Sequence, residues 1–203
     1  MAYPADKTKG YVRVKCYENN ITSSLINAHE SAIAFLALTN DGSLLATASD
    51  KGTLIRIFKT SNGLFLQEVR RGKDQVEINH ICFDQTRFLL AASSTKGTIH
   101  VWSLFTALQK LNEDNNNQKE EVKDLPKNQV SIFKKLPNFL GGGFFKSEWS
   151  FAQIRINEPN AICTFSGDNT IVAVTLNGNY YKVEIDLKNG GEGKIIEKTK
   201  LFN

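Results

Sequence analysis

A repeat of about 45 residues is the feature that most constrains the fold of this chain. Residues 44–58 (LLATASDKGTLIRIF) match residues 89–102 (LLAASSTKGTIHVW) at an offset of 45 positions. Each copy is an apolar run, a Ser-x-Lys-Gly-Thr turn and a β-branched run, a pattern typical of a β-hairpin. A period of this length matches one blade of a WD40-type β-propeller, so we expect an all-β fold.

Strand-like runs beside the two hairpins complete the predicted blades. The first whole blade is expected between about residues 30 and 70, with an inner strand at 32–38 and an outer strand at 64–69. The second blade is predicted from the runs 76–83, 88–92, 98–102 and 149–156. The third is predicted from the runs 161–165, 170–175, 179–185 and 194–198, with a type I′ turn at Asn177-Gly178.

Residues 1–26 supply only part of an earlier blade, with strand-like runs at 11–17 and 21–26. Propellers typically close with about four to eight blades, because closure removes exposed strand edges. We therefore expect an N-terminally incomplete propeller of about three and a half to four blades. A truncated product, a fragmentary gene model and an arc completed by another chain stay open as explanations.

Composition narrows the class of protein. The 203 residues are 41% hydrophobic, carry a net charge of +4 and contain no apolar run near the length of a membrane-spanning helix. Residues 1–20 lack the apolar block of a secretory signal, which favours the cytosol. The modest charge gives no indication of a nucleic-acid partner.

Catalytic and metal-binding motifs are missing from the sequence. The chain has three histidines and three widely spaced cysteines, and no HExxH, GxSxG, Walker or CxxC motif occurs. The cysteines Cys16, Cys82 and Cys163 lie in apolar strand-like runs, which favours buried, reduced thiols. We therefore predict no enzyme activity, no cofactor, no metal and no small-molecule substrate.

Two successive arginines end the outer strand of the first whole blade. Side chains alternate along an extended strand, so Arg70 and Arg71 should point in opposite directions. Arg70 is expected to face the hairpin 49–56, and Arg71 the hairpin 94–100. Guanidinium groups bind phosphate bidentately and hydroxyls add neutral donors, so the pattern indicates two similar anion sites. The alternatives are turns that merely close hairpins and a solvated arginine pair.

Five segments of the sequence resemble the PROPPIN family in their order and spacing. They are Ala28-His29, residues 45–58, Val69-Arg70-Arg71-Gly72, residues 94–100 and Trp149-Ser150-Phe151-Ala152. The resemblance implies a seven-bladed propeller that binds phosphatidylinositol 3-phosphate and 3,5-bisphosphate and acts in autophagy and in endosomal or vacuolar trafficking. It implies that residues 1–26 belong to blade 4, 27–70 to blade 5, 71–157 to blade 6 and 158–203 to blade 7. A peripheral location on phagophore, endosomal or vacuolar membranes, with other autophagy proteins as partners, is also implied.

The resemblance further implies three groups of binding residues. The first headgroup site comprises His29, Ser49, Lys51, Thr53, Arg56 and Arg70. The second comprises Arg71, Ser94, Thr95, Lys96, Thr98 and His100. Asp74 stands where some family members have another cation, which leaves that extra contact open.

A long insertion at residues 104–147 would be the membrane-contact loop of the family. Insertions of this length are usually functional or disordered. Near its end, apolar residues spaced by three and four positions predict one face of a short helix. The residues expected to enter the bilayer are Phe133, Leu136, Phe139, Leu140, Phe144 and Phe145. The alternatives are aromatics packed under the propeller rim and, for the whole chain, a WD40 protein-interaction scaffold without lipid binding.

Overall fold

The structure is a computed structural model that describes residues 1–17, 22–114, 125–130 and 147–202. Its strands are β1 (Ala2–Pro4), β2 (Gly10–Cys16), β3 (Thr22–His29), β4 (Ile33–Leu38), β5 (Leu44–Ser49), β6 (Leu54–Lys59), β7 (Phe65–Arg70), β8 (Ile78–Phe83) and β9 (Leu89–Ser94). They continue with β10 (Thr98–Ser103), β11 (Gln129–Val130), β12 (Glu148–Trp149), β13 (Ala152–Arg155), β14 (Ala161–Phe165), β15 (Thr170–Thr175), β16 (Asn179–Glu184), β17 (Gly191–Glu192) and β18 (Lys194–Lys200). One helix, α1, spans Phe105–Asp114.

These strands form four sheets in chain order. Sheet 1 is β1-β2-β3, and sheet 2 has the meander β4 to β7 with β12 and β11 added beside β7. Sheet 3 runs β8-β9-β10-β13-β17, and sheet 4 runs β14-β15-β16-β18. The first strand of sheet 3, β8, packs against both β4 and β14, so the first strands of sheets 2, 3 and 4 are neighbours. This arrangement confirms the predicted all-β propeller fold.

The hydrophobic core lies between successive sheets. One cluster joins sheets 2 and 3 around Trp102, a second joins sheets 3 and 4 around Tyr181, and a third joins sheets 1 and 2 around Val12. Each of these three side chains is at most 1% exposed. Alternating side chains let one strand face of each sheet pack on its neighbour, so adjacent blades stabilise each other.

One turn geometry recurs in three of the sheets. Gly52, Gly97 and Gly178 adopt φ values of 58°, 72° and 76°, and each donates its amide to the residue three positions earlier. Asn177 is not in the left-handed region, so the predicted type I′ turn at Asn177-Gly178 was wrong. The geometry is instead a turn closed by a single left-handed glycine, the arrangement common in slightly longer hairpin loops.

The region predicted as one long loop begins with α1, which sequence analysis did not predict. Ala107, Leu108 and Leu111 are buried in the core between sheets 2 and 3, because their side chains share one helix face. The predicted strand 149–156 was also wrong in part. Its start, β12, pairs in parallel with β7 of sheet 2, and only β13 joins sheet 3.

The six residues predicted to enter the bilayer, and the short helix predicted around them, lie outside the described residues. Among the residues that are described, no helix combines the length and apolar character needed to cross a bilayer.

Candidate functional site

The two arginines at the end of β7 are both buried. Arg70 is 6% exposed and Arg71 is 5% exposed. Arg71 donates from Nε to the Gly52 carbonyl at 3.0 Å and from its other end to the Asp74 carbonyl. Arg70 donates to the Ser147 hydroxyl at 3.4 Å. The two guanidinium groups therefore have different partners, and Arg71, which the sequence assigned to the second hairpin, also contacts the first.

A cavity of about 550 Å³ brings Arg56 and Arg70 together at the outer side of sheet 2. Glu68 lines the same cavity and accepts a hydrogen bond from Arg56 Nε at 2.8 Å. Arg56 also donates to the Ala28 carbonyl at 2.6 Å. Sequence reasoning missed Glu68, although the pairing of Arg56 with Glu68 across β6 and β7 could have indicated it.

The other residues predicted for the first site lie on or beside the turn between β5 and β6. Ser49 is buried at the end of β5, and Thr53 is half-buried. The Lys51 side chain is 57% exposed, and its ammonium group lies 4.0 Å from the Glu30 carboxylate. His29 is 7% exposed, and its Nε2 lies 2.9 Å from the Thr47 hydroxyl. The first site thus combines buried polar groups with an exposed lysine.

The second predicted site is built on the equivalent turn of sheet 3. Ser94 is 1% exposed, and within the described part of the chain its buried hydroxyl has no hydrogen-bond partner. Lys96 forms an ion pair with Asp74. His100 Nδ1 lies 3.0 Å from the Ser150 hydroxyl. Thr95 and Thr98, the remaining residues of the predicted site, are half-buried.

Asp74 connects the second turn to the arginine pair. Its carboxylate accepts from Lys96, and its backbone carbonyl accepts from Arg71. The ion pair with Lys96 is the main reason that the pKa of Asp74 is lowered, so this carboxylate stays charged. Sequence reasoning noted only that Asp74 replaces a cation and did not predict this contact.

The two histidines of the candidate sites are uncharged near neutral pH. Burial, with a smaller contribution from Arg56, lowers the pKa of His29 to about 4. Burial, followed by the charges of Arg71 and Arg155, lowers the pKa of His100 to about 4. Positive charge in these sites therefore comes from arginine and lysine, and the imidazoles serve as hydrogen-bonding groups.

These pKa values predict that acid weakens the fold. Unfolded histidine takes up a proton near pH 6.5, whereas folded His29 and His100 do so only near pH 4. Stability is therefore lost as the pH falls from about 6.5 towards 4, by about 2 kcal/mol per histidine at pH 5. Urea unfolding at pH 7 and pH 5 measures the loss, and a His29→Gln, His100→Gln variant should lose less. An equal loss in both proteins would contradict the prediction.

Comparison with known proteins gives the family. The PROPPIN family model matches residues 1–202. Autophagy-related protein 18e of Arabidopsis thaliana is 36% identical over 96% of this chain and 48% of its own length. Among solved structures, Kluyveromyces lactis Hsv2 with a complete loop 6CD superposes with a TM-score of 0.73 at 20% identity, over 99% of this chain and 59% of that one. KlAtg21 in a complex with the coiled-coil of AgAtg16 superposes with a TM-score of 0.61 at 20% identity, over 100% and 58%.

The chain spans about half the length of these relatives. The superpositions show the same propeller fold, and the family model covers nearly every residue. This chain belongs to the PROPPIN family.

Proposed function

We propose that the chain binds phosphatidylinositol 3-phosphate and phosphatidylinositol 3,5-bisphosphate on membranes, through the two turns of sheets 2 and 3 and the arginine pair between them. It acts without catalysis, moves between the cytosol and phagophore, endosomal or vacuolar membranes, and serves autophagy. The proposal extends the family membership, because autophagy is part of the names of its relatives.

The environment of Arg71 carries the proposal. Its guanidinium is 5% exposed, and the hydrogen bonds described for it go to the carbonyl oxygens of Gly52 and Asp74. Carbonyl oxygens are neutral acceptors, so these bonds orient the guanidinium, and the only negative charge described near it is the exposed Asp74 carboxylate, which also pairs with Lys96. A phosphate group would bring further negative charge, with two oxygens in the geometry that guanidinium prefers.

The burial of the ion pairs indicates which cations are available to a headgroup. Lys96 and Asp74 have side chains 51% and 71% exposed, and solvent weakens such exposed ion pairs. A phosphate can therefore replace Asp74 as the partner of Lys96 at little cost. The side chains of Arg56 and Glu68 are only 30% and 15% exposed. Arg56 also donates to the Ala28 carbonyl, and Glu68 also accepts from the Ser147 hydroxyl. We therefore expect Arg56 to stay paired with Glu68 and to support the first site without contacting the headgroup.

Liposome sedimentation tests the proposal. The wild-type chain should sediment with vesicles that contain phosphatidylinositol 3-phosphate or 3,5-bisphosphate, and not with vesicles of phosphatidylinositol alone. The Arg70→Thr, Arg71→Thr variant should lose this binding, by at least about tenfold, because charge-assisted contacts to phosphate contribute about 1.5–3 kcal/mol each.

A matched control separates site chemistry from net charge. Lys194 and Lys200 are exposed on β18, so Lys194→Thr with Lys200→Thr removes the same charge at the other end of the described sheets. This control should bind like the wild type. Circular dichroism must show that the arginine variant is folded. Equal binding by a folded arginine variant, or wild-type binding that ignores the phosphoinositide, would favour the protein-interaction scaffold instead.

The proposal includes a protein partner from the autophagy machinery. A structural relative, KlAtg21, forms a complex with the coiled-coil of AgAtg16. We extend to this chain only the general expectation that it binds another autophagy protein.

Membrane contact through residues 104–147 is proposed only for the part after α1, because α1 itself packs on the core.

A further inference from the structure

Three soft-metal ligands meet between sheets 3 and 4. His80 and Cys82 lie on β8, and Cys163 lies on β14, the neighbouring first strand of the next sheet. One ring nitrogen of His80 and the two sulfur atoms all lie within 4.8 Å of one another. His80 and Cys82 are two positions apart in a strand, which places both side chains on one face.

The histidine in this cluster has an unsatisfied nitrogen. His80 Nδ1 is buried and has no hydrogen-bond partner among the described residues. The ring packs edge-on against Phe35, with centroids 5.4 Å apart, so its orientation is restricted. A buried nitrogen without a partner is unfavourable, and a cation bound at Nδ1 would relieve it.

Neither sulfur belongs to a disulfide. Cys82 is half-buried and Cys163 is 3% exposed, and both are free thiols. Cys16, the third cysteine, lies at the exposed end of β2, which corrects the expectation that all three are buried. The cluster therefore contains two thiols held close together in a largely apolar setting, and Cys16 provides an internal comparison.

We propose that His80, Cys82 and Cys163 form a zinc-binding site. Zinc takes thiolate at about 2.3 Å and imidazole at about 2.0–2.1 Å, which in a tetrahedron separates the ligand atoms by about 3.5–3.8 Å. The present separations are each at most 4.8 Å, so this geometry requires the ligand atoms to approach one another by no more than about 1.3 Å. Three protein ligands leave the fourth position of the tetrahedron for water or another small ligand.

The nitrogen of His80 favours zinc over a Cys82–Cys163 disulfide. A disulfide would bond only the two sulfur atoms, although a ring nitrogen of His80 lies within 4.8 Å of both. Zinc uses all three groups. The site would link the first strands of two blades, so zinc binding should stabilise the contact between these blades. It would be a second kind of binding site, separate from the proposed phosphoinositide sites.

Titration of the reduced full chain with Co²⁺, a spectroscopic substitute for Zn²⁺, tests the site. We expect one equivalent of Co²⁺ to give thiolate-to-metal charge-transfer absorption, and one equivalent of Zn²⁺ to abolish it. Thermal unfolding should shift to higher temperature when Zn²⁺ is present, because the metal binds the folded chain. A reduced chain that gives no such absorption with Co²⁺ would overturn the proposal.

Variants show whether these ligands are responsible. The absorption should be lost in Cys82→Ser and in His80→Gln, and retained in the Cys16→Ser control. His80→Gln keeps both thiols, and Cys82 is only half-buried, so at least one of these variants should fold even if a Cys163 variant does not. Undiminished absorption in both folded variants would refute the proposal. So would a thiol count showing that Cys82 and Cys163 are oxidised to each other in the purified chain and bind no zinc after reduction.

Discussion

Replacing Gly52 with alanine is expected to lower the free energy of unfolding by about 2–5 kcal/mol. Gly52 has a φ of 58°, a left-handed conformation that costs an L-residue about 1–2 kcal/mol. A Cβ atom there would lie 1.7 Å from the carbonyl oxygen of Val76, so the backbone must also move, at about 1–3 kcal/mol. Urea unfolding of the variant and the wild type measures the difference.

Movement at this position should also reach the candidate sites. The Gly52 carbonyl accepts from Arg71, and the neighbouring Lys51 carbonyl accepts from the Val76 amide at 3.2 Å. We therefore expect Gly52→Ala to weaken phosphoinositide binding even at temperatures where the chain stays folded. This effect would come from displaced partners of Arg71, because the variant keeps every charge.

Gly42→Ala is the matched control for Gly52→Ala. Gly42 has a similar φ of 70°, but a Cβ atom there would meet nothing within 4 Å. It should cost only the conformational term of about 1–2 kcal/mol. If both variants lost the same stability, the close approach of the turn to Val76 would not be a feature of the folded protein.

Replacing Leu108 with alanine is expected to lower the free energy of unfolding by about 2–5 kcal/mol. Leu108 is fully buried in the core between sheets 2 and 3, and truncation of such a leucine leaves a cavity. The helix is also tied to β7, because Gln67 Oε1 accepts from the Ala107 amide at 3.0 Å. Thermal or urea unfolding checks this prediction.

Leu176→Ala serves as its control. Leu176 is 77% exposed in the turn between β15 and β16, so the same truncation should cost less than about 0.5 kcal/mol. Equal and small losses in both variants would mean that α1 is not part of the core. In that case the first part of residues 104–147 would behave as the loop that the sequence predicted.

The repeat, most of the strands and the positions of the hairpin turns could be predicted because they depend on local patterns. Apolar and polar residues alternate with the strand period, and Gly52 and Gly97 occur where each turn needs a left-handed residue. The same local pattern recurs 45 residues later, and this period predicts whole blades. The family resemblance, read from the same motifs, is confirmed by the family model.

The binding-site residues were predicted as a set, and their roles stay predictions. The spacing of serine, lysine and threonine around each turn indicated two anion sites, but it did not show which cations already have partners. Glu68 contacts Arg56 across the β6–β7 pairing, which the hairpin register could have indicated, whereas Asp74 contacts Lys96 through a loop that no local pattern describes. These contacts decide which positive charges are available to a phosphate.

The sequence alone determined the class of fold and the position of the arginine pair at the end of an outer strand. Both follow from the short-range alternation of apolar and polar residues that predicts the strands. Only the tertiary structure decided that α1 enters the core, that residues 148–155 divide between two sheets, and that His80, Cys82 and Cys163 converge. The physical reason is distance along the chain. Such contacts depend on how separate blades pack against each other, and that packing is set by the whole hydrophobic core.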